Sequence, residues 1–185
     1  AGARLLRRYD ADFLNPVDLV QLASGTDVGV PPRIGRQQVY LSLRGPSESS
    51  FRLFRADDSA GTSLAVHTFS TNPGSLFWLS STDPTHVYFV DAPSVYRVAH
   101  NGSASELLYT APAGTQLMRL SLSANRVILQ TVNNTTGDMG LGSLPKSGAA
   151  SLTVLEPDNP DLNLEAIAGT RVYYNVGNAA DGTLE

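Results

Sequence analysis

Residues 85–110 read THVYFVDAPSVYRVAHNGSASELLYT, and this stretch decides the fold. Its first segment, HVYFVD from His86, is apolar at consecutive positions, which indicates a β-strand covered on both faces. Two further short strands follow, and turn residues such as Asn101 and Gly102, which accept positive φ, separate them. The stretch therefore predicts consecutive antiparallel strands joined by tight loops.

The apolar strand recurs four times along the chain. The copies are QVYLSL at 38, HVYFVD at 86, RVILQT at 126 and RVYYNV at 171. Their shared valines lie 48, 40 and 45 residues apart: Val39, Val87, Val127 and Val172. A second segment follows with arginines in register, namely Arg8, Arg55 and Arg97. With a shorter strand at each end, every unit has four antiparallel strands, and this period predicts an all-β fold, the β-propeller.

The segment VYFVDAPSVYRVAHNGSASELLY resembles the blades of TolB-like and YWTD-type six-bladed propellers. In those blades an aromatic inner strand precedes a YR strand and a turn of small residues, and the resemblance covers the whole chain as repeats. The sequence has no YWTD motif, no WD dipeptide and no paired-glycine kelch motif. The resemblance implies a binding or scaffolding propeller, and it transfers no catalytic residue.

The repeats divide residues 1–185 into about four blades of a single propeller domain or segment. We expect whole blades at about 26–70, 75–111 and 116–156, and half-blades at 1–22 and 163–185. Two arrangements remain open. The half-blades could pair into a fourth blade and close a four-bladed ring, which would leave no open sheet edge. Alternatively, the chain could be part of a larger propeller.

The charge of the chain is unevenly distributed. Residues 1–55 carry a net charge of +3 and residues 56–185 carry −7. We expect the arginines on or beside predicted strands to form an exposed rim: Arg4, Arg8, Arg44, Arg52 and Arg55. A pI of about 5.3 disfavours a nucleic-acid partner. No run of apolar residues approaches the roughly 18 to 20 that cross a bilayer, so we expect no membrane insertion.

Motifs for catalysis and metal binding are missing from the sequence. There is no G-x-S-x-G motif, and GLGSLP at 140 has Pro145 where a dinucleotide-binding motif requires glycine. His67, His86 and His100 are not at the spacing of metal ligands, so we expect structural roles for them. We therefore predict no catalytic residue, no metal and no cofactor. Enzymatic activity stays uncertain, and the sequence favours its absence.

Propellers usually bind through loops that recur once per blade on one face. The loops after the valine strands and the loops between blades should lie on the same face. The polar residues of these loops suit a sugar or peptide better than a lipid. We predict seven contact residues: Arg44, Asp91, Asn133, Asn134, Asp138, Asn178 and Asp181.

The leading hypothesis is a non-enzymatic binding or scaffolding propeller with protein or carbohydrate partners. The use of twelve arginines and one lysine indicates a GC-rich bacterial genome, and the expected location is periplasmic, cell-surface or extracellular. One alternative is the propeller domain of a peptidase or glycosidase-type enzyme. Another is a self-assembling subunit, a homo-oligomer whose open blade edges pair between chains.

Overall fold

The computed structural model describes residues 4–8, 17–29, 33–34, 38–57, 63–70, 80–102, 104–149 and 151–176. These residues form seventeen β-strands and no α-helix. The strands lie in five antiparallel sheets, which we call the N-terminal half-blade, blades 1 to 3 and the C-terminal half-blade.

The first two sheets contain seven strands. The N-terminal half-blade consists of β1 (Arg4–Arg8) and β2 (Val17–Leu22). Blade 1 consists of β3 (Asp27–Val28), β4 (Arg33–Ile34), β5 (Gln38–Arg44), β6 (Arg52–Asp57) and β7 (Ser63–Thr68). Both β3 and β4 pair with β5, so the first strand of blade 1 is built in two pieces.

The remaining three sheets contain ten strands. Blade 2 consists of β8 (Ser80–Thr82), β9 (His86–Asp91), β10 (Ser94–Ala99) and β11 (Glu106–Thr110). Blade 3 consists of β12 (Thr115–Leu122), β13 (Arg126–Asn133), β14 (Met139–Pro145) and β15 (Thr153–Asn159). The C-terminal half-blade consists of β16 (Leu162–Ala168) and β17 (Arg171–Val176). Except for β3 and β4, which both pair with β5, successive strands within each sheet are neighbours, and the predicted β-propeller fold is confirmed.

The second strand of each whole blade is covered on both faces. In β9 the residues from Val87 to Asp91 are all buried, and in β13 so are those from Val127 to Thr131. Side chains of consecutive residues point to opposite faces of a sheet, so apolar residues at both parities are stable only where both faces are covered. Among the described residues β17 is less covered, with Tyr173 47% exposed and Tyr174 36%. The only described strand that pairs with β17 is β16.

The chain folds as two compact units. The first contains the N-terminal half-blade, blade 1 and the segments 82–87 and 98–105 of blade 2. Its core is an aliphatic cluster in which β2 packs against blade 1: Leu19, Val20, Leu22, Leu41, Leu43 and Ala56. Burial of a leucine or valine side chain contributes roughly 1.5–3 kcal/mol, so the five in this cluster stabilise the unit.

The second unit contains the rest of blade 2, blade 3 and the C-terminal half-blade. Its cluster joins blade 3 to the half-blade through Ile128, Leu141, Leu162 and Leu164, all nearly inaccessible to solvent. Polar contacts support the same junction, because Gln130 Nε2 donates to the Leu162 carbonyl oxygen at 3.2 Å.

A repeated pair of side chains, which we call the turn clasp, ties one sheet to the next. In the first unit, Tyr40 of β5 and Arg55 of β6 reach the turn that follows β10. Tyr40 Oη lies 2.7 Å from Nδ1 of His100, the first residue of that turn. Arg55 Nη1 donates to the His100 carbonyl oxygen at 2.8 Å and also to the Gly102 carbonyl oxygen. The clasp therefore contacts both the side chain and the main chain of the turn.

The second unit repeats the turn clasp. Arg97 of β10 donates through Nη1 to the carbonyl oxygen of Lys146 at 2.7 Å. Lys146 is the first residue after β14, as His100 is after β10, and its Nζ lies 5.8 Å from the ring centroid of Tyr88. Tyr88 has the same place in β9 as Tyr40 has in β5, one residue after the shared valine.

The turn clasp corrects the expectation of an exposed arginine rim at one of its five residues, Arg55. The side chains of Arg44 and Arg52 are 37% and 39% exposed, and those of Arg4 and Arg8 are not among the described side chains. Arg55 is partly buried, and its guanidinium bonds to main-chain carbonyl groups of the next sheet. An arginine presents five N–H donors in a planar fork, so it can satisfy several carbonyl groups at once. The register of Arg55 with Arg97, visible in the sequence, thus reflects a repeated contact between sheets.

Candidate functional site

The five described contact residues lie at the ends of second strands or in the loops that follow them. Arg44 ends β5, Asp91 ends β9 and Asn133 ends β13. Asn178 and Asp181 lie outside the described residues. Asn133, Asn134 and Asp138 share one loop, whereas Arg44 and Asp91 belong to loops of other sheets.

Arg44 is held against its own sheet. Its Nη2 lies 2.5 Å from Asp27 Oδ2, and its guanidinium carbon lies 4.8 Å from the ring centroid of Phe51. The side chains of Arg44 and Asp27 are 37% and 56% exposed, so this ion pair is well solvated. Such surface ion pairs contribute little free energy, so a ligand that displaced Asp27 from the Arg44 guanidinium would lose little binding free energy by doing so.

Asp91 is only 4% exposed. The next strand begins at Ser94, whose hydroxyl lies 2.9 Å from that of Thr110. A carboxylate buried to this degree offers little surface to a large partner. The position of Asp91 favours a role inside blade 2.

The β13–β14 loop, residues 133–138, is the best-defined polar loop among the predicted contacts. Asn133 N donates to the Asp138 carbonyl oxygen at 2.8 Å, and Gly137 N donates to the Asn133 carbonyl oxygen at 2.8 Å. The Asn133 side chain also acts as a cap, because its Oδ1 accepts from Thr135 N at 2.9 Å. Gly137 has φ +82°, a conformation in which glycine avoids the strain that other residues incur.

This loop is bonded to the loop that joins blade 2 to blade 3. Asn134 N donates to the Gly114 carbonyl oxygen at 2.8 Å, and Thr115 N donates to the Pro112 carbonyl oxygen at 3.1 Å. For blade 3, the loop after the second strand and the loop before the first strand therefore lie at the same end, as the sequence predicts. The exposed residues between them are Asn134, Thr135, Thr136 and Gly137.

A groove of about 360 Å³ lies where β9 begins, at the other end of that strand from Asp91. It is lined by Gln38, Pro84, Thr85, His86, Ala99, His100 and Asn101. Asp83 shapes its edge, because its Oδ1 accepts from the main-chain N of Thr85 and of His86 at 2.8 and 2.9 Å. The Asp-Pro-Thr segment is a turn signal that could have drawn attention to this groove in the sequence.

His100 in this groove has a structural role. Its Nε2 lies 2.8 Å from the Asp83 carbonyl oxygen, which can only accept, so Nε2 carries a proton. In the neutral ring Nδ1 is then the acceptor, and Tyr40 Oη donates to it. Both ring nitrogens are thus committed to contacts inside the fold, as the sequence predicts for the histidines.

A second groove, of about 470 Å³, lies over β14. Gly140 and Gly142 line it, together with Val154 and Glu156 of β15. A Cβ atom on Gly142 would lie only 2.9 Å from Leu152 Cδ1, so a larger residue at this position would displace the Leu152 side chain. The groove is mainly apolar, and none of the five described contact residues lines it.

Two tyrosines titrate above their ordinary range. Burial raises the pKa of the Tyr109 phenol. A hydrogen bond to Glu156 raises the pKa of Tyr174, and burial and the negative charge of Glu156 act in the same direction. Tyr174 Oη donates to Glu156 Oε2 at 3.1 Å, a contact between β17 and β15. Neither phenol is adjacent to the β13–β14 loop in sequence.

Within the described ranges, no three histidine, aspartate or glutamate side chains come together as a metal site would require. The same part of the chain forms no helix with the length and apolar character that a membrane crossing needs.

Comparison with known proteins supports the fold alone. No protein-family model matches the chain, and no curated protein matches it in sequence. Ten chains of solved structures match, among them a post-proline cleaving enzyme from Rickettsia typhi, with a TM-score of 0.52 and 11% identity. That match covers 89% of this chain and 27% of the enzyme. The finer resemblance to TolB-like and YWTD-type blades stays a prediction.

Proposed function

We propose that this propeller is a non-enzymatic binding platform that contacts a protein or glycan partner through the loops after its second strands. One observation supports this proposal above the others. The β13–β14 loop is exposed, polar and fixed in conformation by hydrogen bonds within itself and to the 111–115 loop. A surface of this kind suits recognition of sugar hydroxyls or peptide amides.

The energetic reason is preorganisation. Ordering a flexible residue costs roughly 1–2 kcal/mol of backbone entropy, and a partner that binds a mobile loop must overcome that cost. The backbone of residues 133–138 is already held by its own hydrogen bonds, while Asn134, Thr135 and Thr136 keep exposed side chains. Their amide and hydroxyl groups both donate and accept, as the hydroxyls of sugars also do.

Arrays of glycans and of synthetic peptides, each incubated with the purified chain, test this proposal. Asn134→Ala should weaken binding to any ligand so identified by about tenfold, the effect of losing one good hydrogen bond. Asn101→Ala is the matched control, because Asn101 is an exposed asparagine in the turn after β10. The proposal fails if the two variants lose affinity equally, or if Asn134→Ala binds like the wild type.

The cellular setting is part of the proposal. We place the chain in an exported or envelope protein of a bacterium, periplasmic, cell-surface or extracellular. The arginine-rich composition and the resemblance to TolB-like blades support this assignment. Immunodetection after fractionation of the source cells tests it, and recovery of the protein in the cytosolic fraction would overturn it.

A second candidate is the propeller domain of a peptidase. The structural similarity to the post-proline cleaving enzyme favours it, although the chain spans only 27% of that enzyme. A fluorogenic peptide with an internal proline, incubated with the protein in its full-length form, is the appropriate assay. Cleavage would support this candidate and exclude a purely non-enzymatic platform.

A further inference from the structure

Asn101 and Gly102 form the only Asn-Gly pair in the sequence. They lie in the turn after β10, and Asn101 is exposed to solvent. Asparagine is a thermolabile residue, and a following glycine has no side chain to hinder attack by its main-chain nitrogen. That nitrogen can react with the side-chain carbonyl carbon of the asparagine, which is thereby converted to aspartate or isoaspartate. The turn therefore contains a candidate modification site.

The close packing of the turn favours glycine at position 102. The Gly102 N–H donates to the Ala99 carbonyl oxygen at 2.8 Å, so the main chain folds back tightly on itself. A Cβ atom on Gly102 would lie 3.2 Å from that oxygen and 3.3 Å from Ala99 Cβ, closer than ordinary van der Waals contact. The tight turn thus places next to Asn101 the one residue that offers its amide group no steric protection.

The turn clasp holds the main chain on both sides of the labile residue. Arg55 Nη1 donates to the carbonyl oxygens of His100 and Gly102, the residues that flank Asn101 directly. The His100 N–H also donates to the Thr85 carbonyl oxygen at 2.9 Å. These bonds restrict the main-chain rotation that would bring the Gly102 nitrogen to the Asn101 side chain.

We propose that Asn101 is a deamidation site controlled by the turn clasp. While the clasp is closed, the Gly102 nitrogen keeps its hydrogen bond to Ala99 and the reaction is slow. When the clasp opens, that nitrogen loses its proton to solvent and bonds to Cγ of Asn101, and Nδ2 takes up a proton and leaves as ammonia. Water then opens the cyclic succinimide to isoaspartate or aspartate. The net reaction consumes one water molecule and replaces an amide by a carboxylate.

Formation of isoaspartate should keep the clasp open. The main chain of isoaspartate runs through the former side chain, so an additional atom separates the two carbonyl groups that Arg55 Nη1 binds. The lengthened turn should no longer present both oxygens to one nitrogen at hydrogen-bonding distance. The clasp then acts as a timer, because each conversion at Asn101 removes a contact between β6 and the turn after β10.

Incubation of the full chain at neutral pH, followed by peptide mapping with mass spectrometry, tests the proposal. Arg55→Ala should convert Asn101 about tenfold or more faster than the wild type, because the turn loses hydrogen bonds from a charged group. Arg52→Ala is the matched control, since it removes a partly exposed ion pair from the same strand, and it should convert like the wild type. Equal rates in Arg55→Ala and the wild type, or in the two variants, overturn the proposal.

A variant in the second unit separates the clasp from a general loss of stability. Gly148→Ala should destabilise that unit, but it leaves Arg55 and the turn after β10 unchanged. Conversion of Asn101 should therefore stay near the wild-type rate, and an acceleration equal to that of Arg55→Ala would overturn control by the clasp. If Arg55→Ala fails to fold, Tyr40→Phe provides the second test, because it removes only the hydroxyl that donates to His100 Nδ1. Its conversion should also be faster than in the wild type, and an unchanged rate would count against the clasp.

The product and its site can be checked directly. Asn101→Gln should eliminate the converted peptide, because glutamine would have to form a larger ring, and a mass gain that persists would place the reaction at another residue. The isoaspartyl form, isolated by ion-exchange chromatography, should unfold at a lower urea concentration than Asn101→Asp, which adds the same charge without lengthening the main chain. Equal unfolding midpoints would overturn the timer.

Discussion

Arg52 and Arg55 lie three residues apart in β6 and bond to different kinds of partner. Arg52 forms a partly exposed ion pair with Glu48, four residues earlier in the chain. Arg55 donates to carbonyl groups in the turn of the next sheet. Water can replace the exposed Arg52–Glu48 ion pair more easily than the partly buried hydrogen bonds of Arg55. The two arginines should therefore differ in their contribution to the free energy of unfolding.

Arg55→Ala should lower the free energy of unfolding by about 1.5–3 kcal/mol, the range for hydrogen bonds that involve a charged group. Arg52→Ala should lower it by less than about 1 kcal/mol, as for other surface ion pairs. Urea denaturation followed by tryptophan fluorescence or circular dichroism measures both. Equal losses in the two variants would mean that the turn clasp adds no stability of its own.

The sequence shows the arginine register but not the partners of the arginines. Arg55 and the His100 carbonyl oxygen are 45 residues apart, and their contact depends on how two sheets stack. Local patterns report on neighbours in one strand or one hairpin, so contacts between sheets are invisible to them. The same reason explains Asp91, which the sequence places at a loop mouth and the structure buries.

At the scale of the elements, the turn after β14 is closely packed. Gly148 there has φ +91°, and a Cβ atom on it would lie 3.0 Å from the Leu108 carbonyl oxygen in β11. The next residue, Ala149, donates its N–H to that same carbonyl at 3.1 Å. The turn therefore packs directly against blade 2. Glycine is required at position 148 because of its positive φ and because a Cβ atom would collide with the Leu108 carbonyl group.

Gly148→Ala should destabilise the protein more than Gly137→Ala. Both glycines have positive φ, which costs another residue about 1–2 kcal/mol, but nothing lies within 4 Å of a Cβ on Gly137. At Gly148 the collision with Leu108 adds to the strain, for a total of about 2–4 kcal/mol. Thermal and urea unfolding of the two variants provide the comparison. The proposed packing is wrong if Gly137→Ala is the more harmful change.

The strands themselves were largely predictable. The apolar residues at both parities of HVYFVD and RVILQT predict covered strands, and β9 and β13 are buried as expected. The same pattern in RVYYNV predicts a covered strand, yet Tyr173 and Tyr174 are exposed. The sequence shows that a strand requires cover on both faces, and only the structure shows whether neighbouring elements provide that cover. Of the candidate site, the sequence identified the β13–β14 loop and missed the groove at Asp83.

Across the whole molecule, burial falls from the second strand of each blade to the fourth. Val87 and Val127 are almost inaccessible, whereas Leu64, Leu107 and Val154 on the fourth strands are 43%, 59% and 67% exposed. Strands with few buried contacts open at a lower free energy than the core does. The blades should therefore show graded rather than uniform local stability.

Amide hydrogen exchange followed by mass spectrometry should resolve this gradient. Peptides that cover β5, β9 and β13 should exchange most slowly, and those that cover β7, β11 and β15 should exchange faster in each blade. We expect this difference because each second strand pairs with a strand on both sides, whereas each fourth strand has one described neighbour in its sheet. Uniform protection across the four strands of a blade would mean that each sheet opens only as a whole.

The turn clasp also bears on how such a chain can lengthen. Blade 2 receives a clasp at His100 and supplies one through Tyr88 and Arg97. If blade 2 were duplicated in tandem, Tyr88 and Arg97 of the first copy could form a turn clasp with the turn at His100 of the second. No compensating substitution would be needed. Blade 3 has Ile128 and Ser143 at the tyrosine and arginine positions, so a duplicate of blade 3 would have to rely on the aliphatic cluster at Ile128 and on Gln130. Gene duplication would thus reproduce the turn clasp after blade 2 and a different contact after blade 3.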